Sequence, residues 1–194
     1  MSTLIFYQNN AKEYAAETAV VDFSATQERF LKYLPTGSHI LDFGCGSGRD
    51  SRHFSERGYR VTATDGCAEF VALASAYTGL KVKQMLFGEL SAVDEFDGVW
   101  ACASILHLPK DELIKVLKKI SKALKSGGYF YTSFKYGFFE GELNGRYFTY
   151  LTEDSLLELL RSVPELNIIE QWVSSDVRAG REDEKWLNVI MRKE

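Results

Sequence analysis

The segment that most constrains the fold is an apolar run followed by three alternate glycines, residues 40–48 with the sequence ILDFGCGSG. The apolar run is typical of a buried strand, and the glycines permit the positive φ angles of a sharp turn from a strand into a helix. Glycines also leave the backbone open where a ligand would approach it. The pattern therefore predicts a parallel α/β sheet with a ligand site at this turn.

The spacing of the glycines separates two kinds of nucleotide-binding loop. A dinucleotide loop has its third glycine three residues after its second, and Arg49 occupies that position here. Instead, Gly48 follows Gly46 by two residues, and Asp42 precedes Gly44 by two. A carboxylate beside the loop suits a ligand with an ammonium group better than it suits a phosphate. A tight turn without any ligand is the alternative interpretation.

Three further segments follow in the order of a doubly wound α/β fold. Asp65 ends a second strand about 20 residues after Gly44, the separation at which a carboxylate reaches ribose hydroxyls. Its other possible role is to cap the helix that follows. Residues 96–109 indicate a buried strand, a short loop and a helix start, and residues 124–131 indicate a helix that ends on two glycines and turns into a strand.

Together these motifs resemble those of the class I S-adenosylmethionine-dependent methyltransferases over residues 38–134, and more weakly the tellurite-resistance-type enzymes of that family. The resemblance implies an α/β fold with a Rossmann-like, seven-stranded, mostly parallel sheet, helices on both faces and an antiparallel last strand. It also implies that S-adenosylmethionine is the cofactor and that its methyl group passes to a small-molecule acceptor, with S-adenosylhomocysteine as product. Ser126 departs from the family turn, which has proline there.

The resemblance places the cofactor beyond the carboxyl ends of the strands. Asp65 would bind the ribose, and residues 85–87 would hold the adenine by apolar packing, because no acidic residue follows the third strand. The N-terminal stretch would lie over the cofactor. The expected cofactor-binding residues are Tyr14, Asp42, Gly44, Cys45, Gly46, Ser47, Gly48, Asp65, Gly66, Met85, Leu86, Phe87 and Ala101.

Methyl transfer from a sulfonium depends on alignment and desolvation, so it needs no catalytic triad. If the acceptor is a hydroxyl, His107 is the candidate base that removes its proton, although it could instead only cap or pack beneath the next helix. An aromatic segment at 135–150 could form a flap over the acceptor or simply pack on the sheet. Basic residues that could hold an anionic acceptor, or pair with acidic residues 182–184, are Lys135, Arg146, Arg178 and Arg181.

Periodicity and capping signals predict the remaining elements. A single N-terminal helix is expected before residue 34, and the strongest helix follows Pro109. Further helices are predicted from Ser47 to about Gly58, from Ala68 to Tyr77, and from an N-cap at Thr152 to Leu160. Strands are predicted over 80–85, 167–173 and 185–191, with a hairpin joining the last two.

The length of the chain predicts one domain. The resemblance implies that residues 1–36 form a helical cover, 37–134 the cofactor-binding core and 135–194 the substrate side. The chain has 194 residues, of which 45% are hydrophobic and 26% charged. A net charge of −4 gives no general attraction to nucleic acid or membranes. With no leader or membrane span expected, the prediction is a cytoplasmic protein, and its three cysteines predict neither disulfides nor a metal site.

The sequence is also compatible with two other functions. A nonenzymatic domain could use the same cleft to sense the cofactor or to bind a partner. A nicotinamide-dependent reductase would need a glycine where Arg49 stands, and a tyrosine-lysine pair that no recognisable spacing provides.

Overall fold

The computed structural model describes residues 3–178 and 180–194. The strands are β1 (His39–Phe43), β2 (Arg60–Asp65), β3 (Lys83–Gln84), β4 (Phe96–Ala101), β5 (Leu124–Lys135), β6 (Glu140–Leu143), β7 (Arg146–Thr149), β8 (Leu166–Ser175) and β9 (Lys185–Lys193). Seven of them form one sheet in the order β3-β2-β1-β4-β5-β9-β8, and β9 runs antiparallel to both of its neighbours. The expected seven-stranded, mostly parallel sheet with an antiparallel last strand is confirmed.

Helices cover both faces of this sheet. They are α1 (Thr3–Ala19), α2 (Ser24–Leu31), α3 (Arg49–Glu56), α4 (Ala68–Thr78), α5 (Lys110–Ala123) and α6 (Glu153–Leu160). On one face, α2 and α3 pack on Ile40, Trp100 and Tyr131, while α5 and α6 pack on the opposite face with Leu41 and Val99. Alternate strand residues thus feed two cores, as the period of two requires. None of the described helices has the length and apolarity needed to cross a membrane.

The turn after β1 requires glycine at two points. Gly44 has a φ of +84°, and a Cβ there would lie 2.6 Å from the Cβ of Ser104. Gly48 also has a φ of +84°, and its Cβ would lie 2.7 Å from the Thr78 side chain. Because a left-handed residue cannot continue a right-handed helix, α3 begins at Arg49 and not at Ser47 as the sequence predicted.

Two sequence predictions about the edges of the fold are wrong. The N-terminal stretch forms two helices, α1 and α2, where one was expected. The third strand was expected over 80–85 but pairs only through Lys83 and Gln84. The chain leaves α4 through a left-handed Gly79, and the Val82 amide donates to the Ser75 hydroxyl, which holds this segment off the sheet until Lys83.

The segment after β5 contains a two-stranded hairpin of β6 and β7 outside the main sheet. Asn144 and Gly145 have positive φ at its tip, which is the usual chemistry of a two-residue hairpin turn. The predicted N-cap at Thr152 is confirmed, because its side chain accepts a hydrogen bond from the Ser155 amide at the start of α6. The hairpin of β8 and β9 is also confirmed.

Candidate active site

A cavity of about 330 Å³ lies beyond the carboxyl ends of β1, β2, β3 and β4 and beneath α1. The turns that follow the strands form its floor, and Leu4, Tyr7 and Tyr14 of α1 form part of its cover. The turn between β8 and β9 contributes a far wall through Asp176 and Arg178. Among the described residues, no group of three or more histidine, cysteine or acidic side chains could hold a metal ion.

The structure brings most of the sequence-predicted site residues to this cavity. Those that line it are Tyr14, Gly44, Cys45, Gly46, Ser47, Asp65, Gly66, Met85, Leu86, Phe87, His107 and Arg178. Those that lie outside its wall are Asp42, Gly48, Ala101, Lys135, Arg146 and Arg181. Gly48 packs against α4, and Ala101 is fully buried inside β4, one residue before the wall begins at Cys102.

Asp65 joins the end of β2 to the glycine loop. One carboxylate oxygen accepts a hydrogen bond from the Gly46 amide at 2.9 Å, and the other accepts one from the Cys67 amide at 2.9 Å. Burial raises the pKa of Asp65, and these amides partly offset that effect. Each oxygen keeps further acceptor capacity. Asp65 therefore supports both turns and still presents a carboxylate to the cavity.

Asp42 lies beneath the glycine loop and not in the cavity wall. It is 2% exposed, and the Ser51 hydroxyl donates to it at 2.5 Å. Burial and the nearby charge of Asp50 raise the pKa of Asp42 to about 8. A carboxyl group in this position supports the loop from below, in contrast to the ammonium contact suggested by the sequence.

Asp50 fixes Arg49 in the cavity wall. Its carboxylate accepts four hydrogen bonds, from Arg49 Nε at 2.7 Å, Arg49 Nη2 at 2.9 Å, Gln27 Nε2 at 2.6 Å and Trp100 Nε1 at 2.8 Å. Burial opposes its ionisation, but the Arg49 charge and these donors lower the pKa of Asp50. The Arg49 guanidinium also lies 4.6 Å from the centre of the Phe23 ring. Arg49 is thus a fixed cation at the glycine loop.

His107 is held at both ring nitrogens. Nδ1 lies 2.7 Å from the Tyr147 carbonyl oxygen, and Nε2 lies 2.8 Å from the Tyr7 hydroxyl. A carbonyl can only accept, so Nδ1 carries the proton and Nε2 accepts from Tyr7. Burial, together with the positive charges of Arg146 and Lys135, lowers the pKa of His107 to about 4, although the hydrogen bond to Tyr147 acts in the opposite direction. His107 is therefore neutral at physiological pH.

The four predicted basic residues do not converge on one site. Only Arg178 lines the cavity, where Asp176 accepts from its Nε at 2.9 Å and from its Nη2 at 2.5 Å. Lys135 and Arg181 pair with Glu184, the latter at 3.9 Å. Arg146 lies among aromatic rings of α1 and β7 outside the cavity wall. Among the acidic residues expected as partners at 182–184, Glu184 thus pairs with two of the four basic residues.

Known proteins that resemble this chain include methyltransferases. A family model described as a methyltransferase domain matches residues 40–128, from β1 into β5. The crystal structure of 1,6-didemethyltoxoflavin-N1-methyltransferase from Burkholderia thailandensis, with 1,6-didemethyltoxoflavin and S-adenosylhomocysteine bound, has a TM-score of 0.76 to this structure at 25% identity. The alignment covers 98% of this chain and 84% of that one. Residues 40–128 thus match a methyltransferase domain, and the chain as a whole has the fold of an S-adenosylmethionine-dependent methyltransferase.

Two other methyltransferases show how far the likeness extends. YqeM of Bacillus subtilis (strain 168), whose name classes it among methyltransferases, is 30% identical over 131 residues, which are 64% of this chain and 53% of that protein. The chain thus spans about half the length of that relative. A TehB-like methyltransferase from Corynebacterium glutamicum ATCC 13032 has a TM-score of 0.70 at 20% identity, covering 98% and 99% of the two chains. The expected likeness to the tellurite-resistance type therefore holds for the fold.

Several residues that line the cavity were not among the sequence-predicted site residues. They include Tyr7, Phe23, Arg49, Ser104 and Asp176. The sequence could have indicated Arg49 as a site residue, because it directly follows the third glycine of the loop and its side chain can reach the turn. Tyr7 and Asp176 had none, because each meets the cavity through contacts distant in sequence.

Proposed function

We propose that this protein binds S-adenosylmethionine at the glycine loop and transfers its methyl group to a small-molecule acceptor. The observation that carries the proposal is the meeting of Asp65, the open glycine loop and the fixed cation Arg49 in one cavity. When bound, S-adenosylmethionine supplies a methyl group on a positively charged sulfur. This chain's residues bind and orient the reactants and exclude water.

The residues after β2 and β3 fit the adenosine part of the cofactor. Asp65 retains acceptor capacity for the ribose hydroxyls, as the spacing from Gly44 suggested. Leu86 and Phe87 offer apolar surface for the adenine. At Gly46 an added Cβ would meet no atom within 4 Å, so the loop leaves open space above its backbone.

Arg49 fits the carboxylate of the methionine part. A carboxylate has about four acceptor sites, and Asp50 already receives four hydrogen bonds. Asp50 therefore has no remaining site for a ligand ammonium, and its role is to hold the guanidinium. The remaining N–H groups of Arg49 can donate to a carboxylate.

The acceptor would occupy the part of the cavity between α1 and the β8–β9 turn. Tyr14, Val177, Arg178 and Trp186 line this part. The whole cavity, which would hold the cofactor and the acceptor together, has a volume of about 330 Å³, within the usual range for small-molecule sites. The Burkholderia relative, whose structure contains 1,6-didemethyltoxoflavin, gives further support.

Calorimetric titration with four ligands tests the cofactor assignment. S-adenosylmethionine and S-adenosylhomocysteine should bind, whereas NADH should not. Arg49→Met should weaken both by about 10- to 100-fold, the value of a charge-assisted hydrogen bond, but should leave 5′-methylthioadenosine unaffected because it lacks the amino acid. Asp65→Asn should weaken all three adenosine ligands.

Matched variants separate these effects from general damage. Arg52→Met removes an arginine that pairs with exposed Glu56, and Asp94→Asn removes a carboxylate that pairs with Lys193. Both controls should bind as the wild type does. Binding of NADH alone would overturn the cofactor assignment. If S-adenosylmethionine binds but a broad panel of acceptors yields no S-adenosylhomocysteine, the site would be one for sensing and not for catalysis.

A further inference from the structure

Tyr7 and His107 meet across the cavity from different parts of the chain. Tyr7 belongs to α1, and His107 ends a short 3-10 turn, Ile105–His107, that follows β4. Both side chains line the cavity. The Tyr147 carbonyl fixes the tautomer of His107, so the Tyr7 hydroxyl must donate its single proton to Nε2.

This direction of donation determines what Tyr7 can offer a ligand. Its hydroxyl proton is already committed to His107, so its oxygen can only accept from a second partner. A ligand group that approaches this oxygen favourably must therefore carry an O–H or N–H. His107, which the sequence suggested as the base, reaches such a group only through Tyr7.

Burial favours a neutral pair, because it raises the pKa of Tyr7 and lowers that of His107, while the Arg146 charge acts against it at Tyr7. Arg146 of β7 and Lys135 of β5 place positive charge near His107, and Arg146 and Tyr14 face Tyr7. Tyr7 also contacts the rings of Tyr14 and Phe70 at centroid distances of 5.3 Å and 5.7 Å. The aromatic rings beside this pair fit a planar ligand.

We propose that Tyr7 accepts the proton which the methyl acceptor loses, that His107 receives the Tyr7 proton in turn, and that the acceptor is an aromatic hydroxyl. This inference rests on the proposed function. The acceptor oxygen bonds to the methyl carbon while the sulfur keeps the electron pair of the broken carbon–sulfur bond. The acceptor proton moves to Tyr7 oxygen, the Tyr7 proton moves to Nε2, and the imidazolium later releases a proton to solvent. The positive charge lost from sulfur thus reappears on His107 before it leaves.

The class of hydroxyl follows from the strength of the base. A neutral histidine surrounded by positive charge is a weak base, so it suits a proton that is already acidic. A phenol has a pKa of about 10, as the tyrosine side chain does, and loses its proton far more readily than an aliphatic alcohol. Tyr7 is the catalytic residue in this scheme, since it touches the acceptor, and His107 acts through it.

Phenol and 4-nitrophenol test the relay as paired probes, with S-adenosylhomocysteine formation measured against pH. At about pH 8 phenol keeps its proton, whereas the nitro group makes 4-nitrophenol ionise without help. Tyr7→Phe should slow methylation of phenol by about 100-fold, the usual contribution of proton transfer, and spare 4-nitrophenol. Its rate with phenol should also rise with pH towards about 10, whereas the wild-type rate stays flat.

Substitutions of His107 separate proton transfer from positioning. The amide oxygen of His107→Gln can still accept from the Tyr7 hydroxyl, but it takes no proton, so this variant should reproduce the pH profile of Tyr7→Phe. Tyr33→Phe is the matched control, because its hydroxyl bonds Glu170 and the residue lies outside the cavity wall. It should keep the wild-type rate and profile. Nitrogen-15 spectra of His107 should show a proton on Nδ1 in the wild type and in Tyr7→Phe, which also verifies that the variant is folded.

The outcomes distinguish the inference from the function on which it rests. If phenol is methylated but Tyr7→Phe keeps both its rate and its flat profile, the relay is overturned while the proposed function stands. The relay is also overturned if S-adenosylhomocysteine forms only with acceptors that lose no proton. If no acceptor yields S-adenosylhomocysteine, the proposed function fails and the relay fails with it.

Discussion

Asp42 and Asp50 are buried carboxyl groups on either side of the glycine loop, and they ionise in opposite ways. Asp42 accepts a hydrogen bond from the Ser51 hydroxyl, and the nearby charge of Asp50 acts on its pKa more strongly than that of Arg49. Asp50 has four donors, two of them on the Arg49 guanidinium. Burial is similar at both sites, so the difference in pKa comes from their partners.

Replacement of each carboxyl by an amide should therefore have opposite effects on stability. The pKa of Asp42 rises from 3.8 in the unfolded chain to about 8, so the stability it contributes is present below pH 4 and is lost as pH rises towards 8. Asp42→Asn cannot ionise and should exceed the wild type by more than about 1 kcal/mol at pH 8. Asp50→Asn leaves Arg49 unpaired and should cost about 3–5 kcal/mol.

Urea unfolding at pH 5 and pH 8 measures both effects. The advantage of Asp42→Asn should shrink at pH 5, where the wild-type carboxyl also keeps its proton in the folded state. An advantage that does not change with pH would show that Asp42 is ionised in the folded protein. Asp94→Asn, an exposed carboxyl paired with Lys193, controls for the amide itself.

Local sequence spacing predicted the positions of some cavity residues but not of others. Gly44 and Asp65 were predictable, because their spacing along two adjacent strands determines where they meet. The position of Asp42 was not, since its side chain points under the loop and only the packing of Ser51 on α3 shows this. The pairing of His107 with Tyr7 was also not predictable, because the two residues are 100 positions apart.

Among the elements, α1 is the one most dependent on what fills the cavity. Ala11 is its single fully buried residue among those described, whereas Leu4, Tyr7, Tyr14 and Thr18 line the cavity. Most helices gain their stability from an apolar face packed on a core. α1 packs on α4 through Ala11, Tyr7 and Tyr14, and a ligand in the cavity would add contacts to the side chains of α1 that line it.

Amide hydrogen exchange should detect this dependence. On addition of S-adenosylhomocysteine, the amides of α1 should exchange several-fold more slowly, because opening of the helix would then expose the ligand-facing surface. The amides of α5, whose inner face is already buried on the sheet, should not change. Equal protection of both helices would indicate global stabilisation instead of closure by α1.

The contrast between α5 and the edge elements also explains which parts of the architecture were predictable. The stripe from Leu113 to Ile120 repeats at helical spacing and packs on the sheet, so its periodicity was sufficient. The strand β3 pairs with only one neighbour over two residues, and no local pattern determines where such short pairing begins. The two N-terminal helices separate at a turn that carries neither glycine nor proline, residues 20–23.

For the molecule as a whole, the order of the strands determines where the ligand site lies. The chain proceeds outward from β1 to β3 and then returns to place β4 on the other side of β1. Connections therefore diverge between β1 and β4, which opens a crevice at their carboxyl ends. The sequence motifs predicted the floor of the cavity, which the turns after these strands form. The far wall is formed by Asp176 and Arg178 in the β8–β9 turn, and only the complete fold brings that turn back to the cavity.

Because floor, cover and far wall meet only in the folded chain, cofactor binding should stabilise the whole molecule. A ligand at about 100 times its dissociation constant adds about 2.7 kcal/mol, and for a chain of this size that corresponds to a rise in Tm of about 5–11 °C. S-adenosylhomocysteine should give this rise, and NADH at the same concentration should give none. If Asp65→Asn weakens binding by about tenfold, it should keep only about half of the rise in free energy. An equal rise in Asp65→Asn and the wild type would place the ligand away from Asp65, whereas a reduced rise in Asp65→Asn with a full rise in Asp94→Asn would locate it at the end of β2.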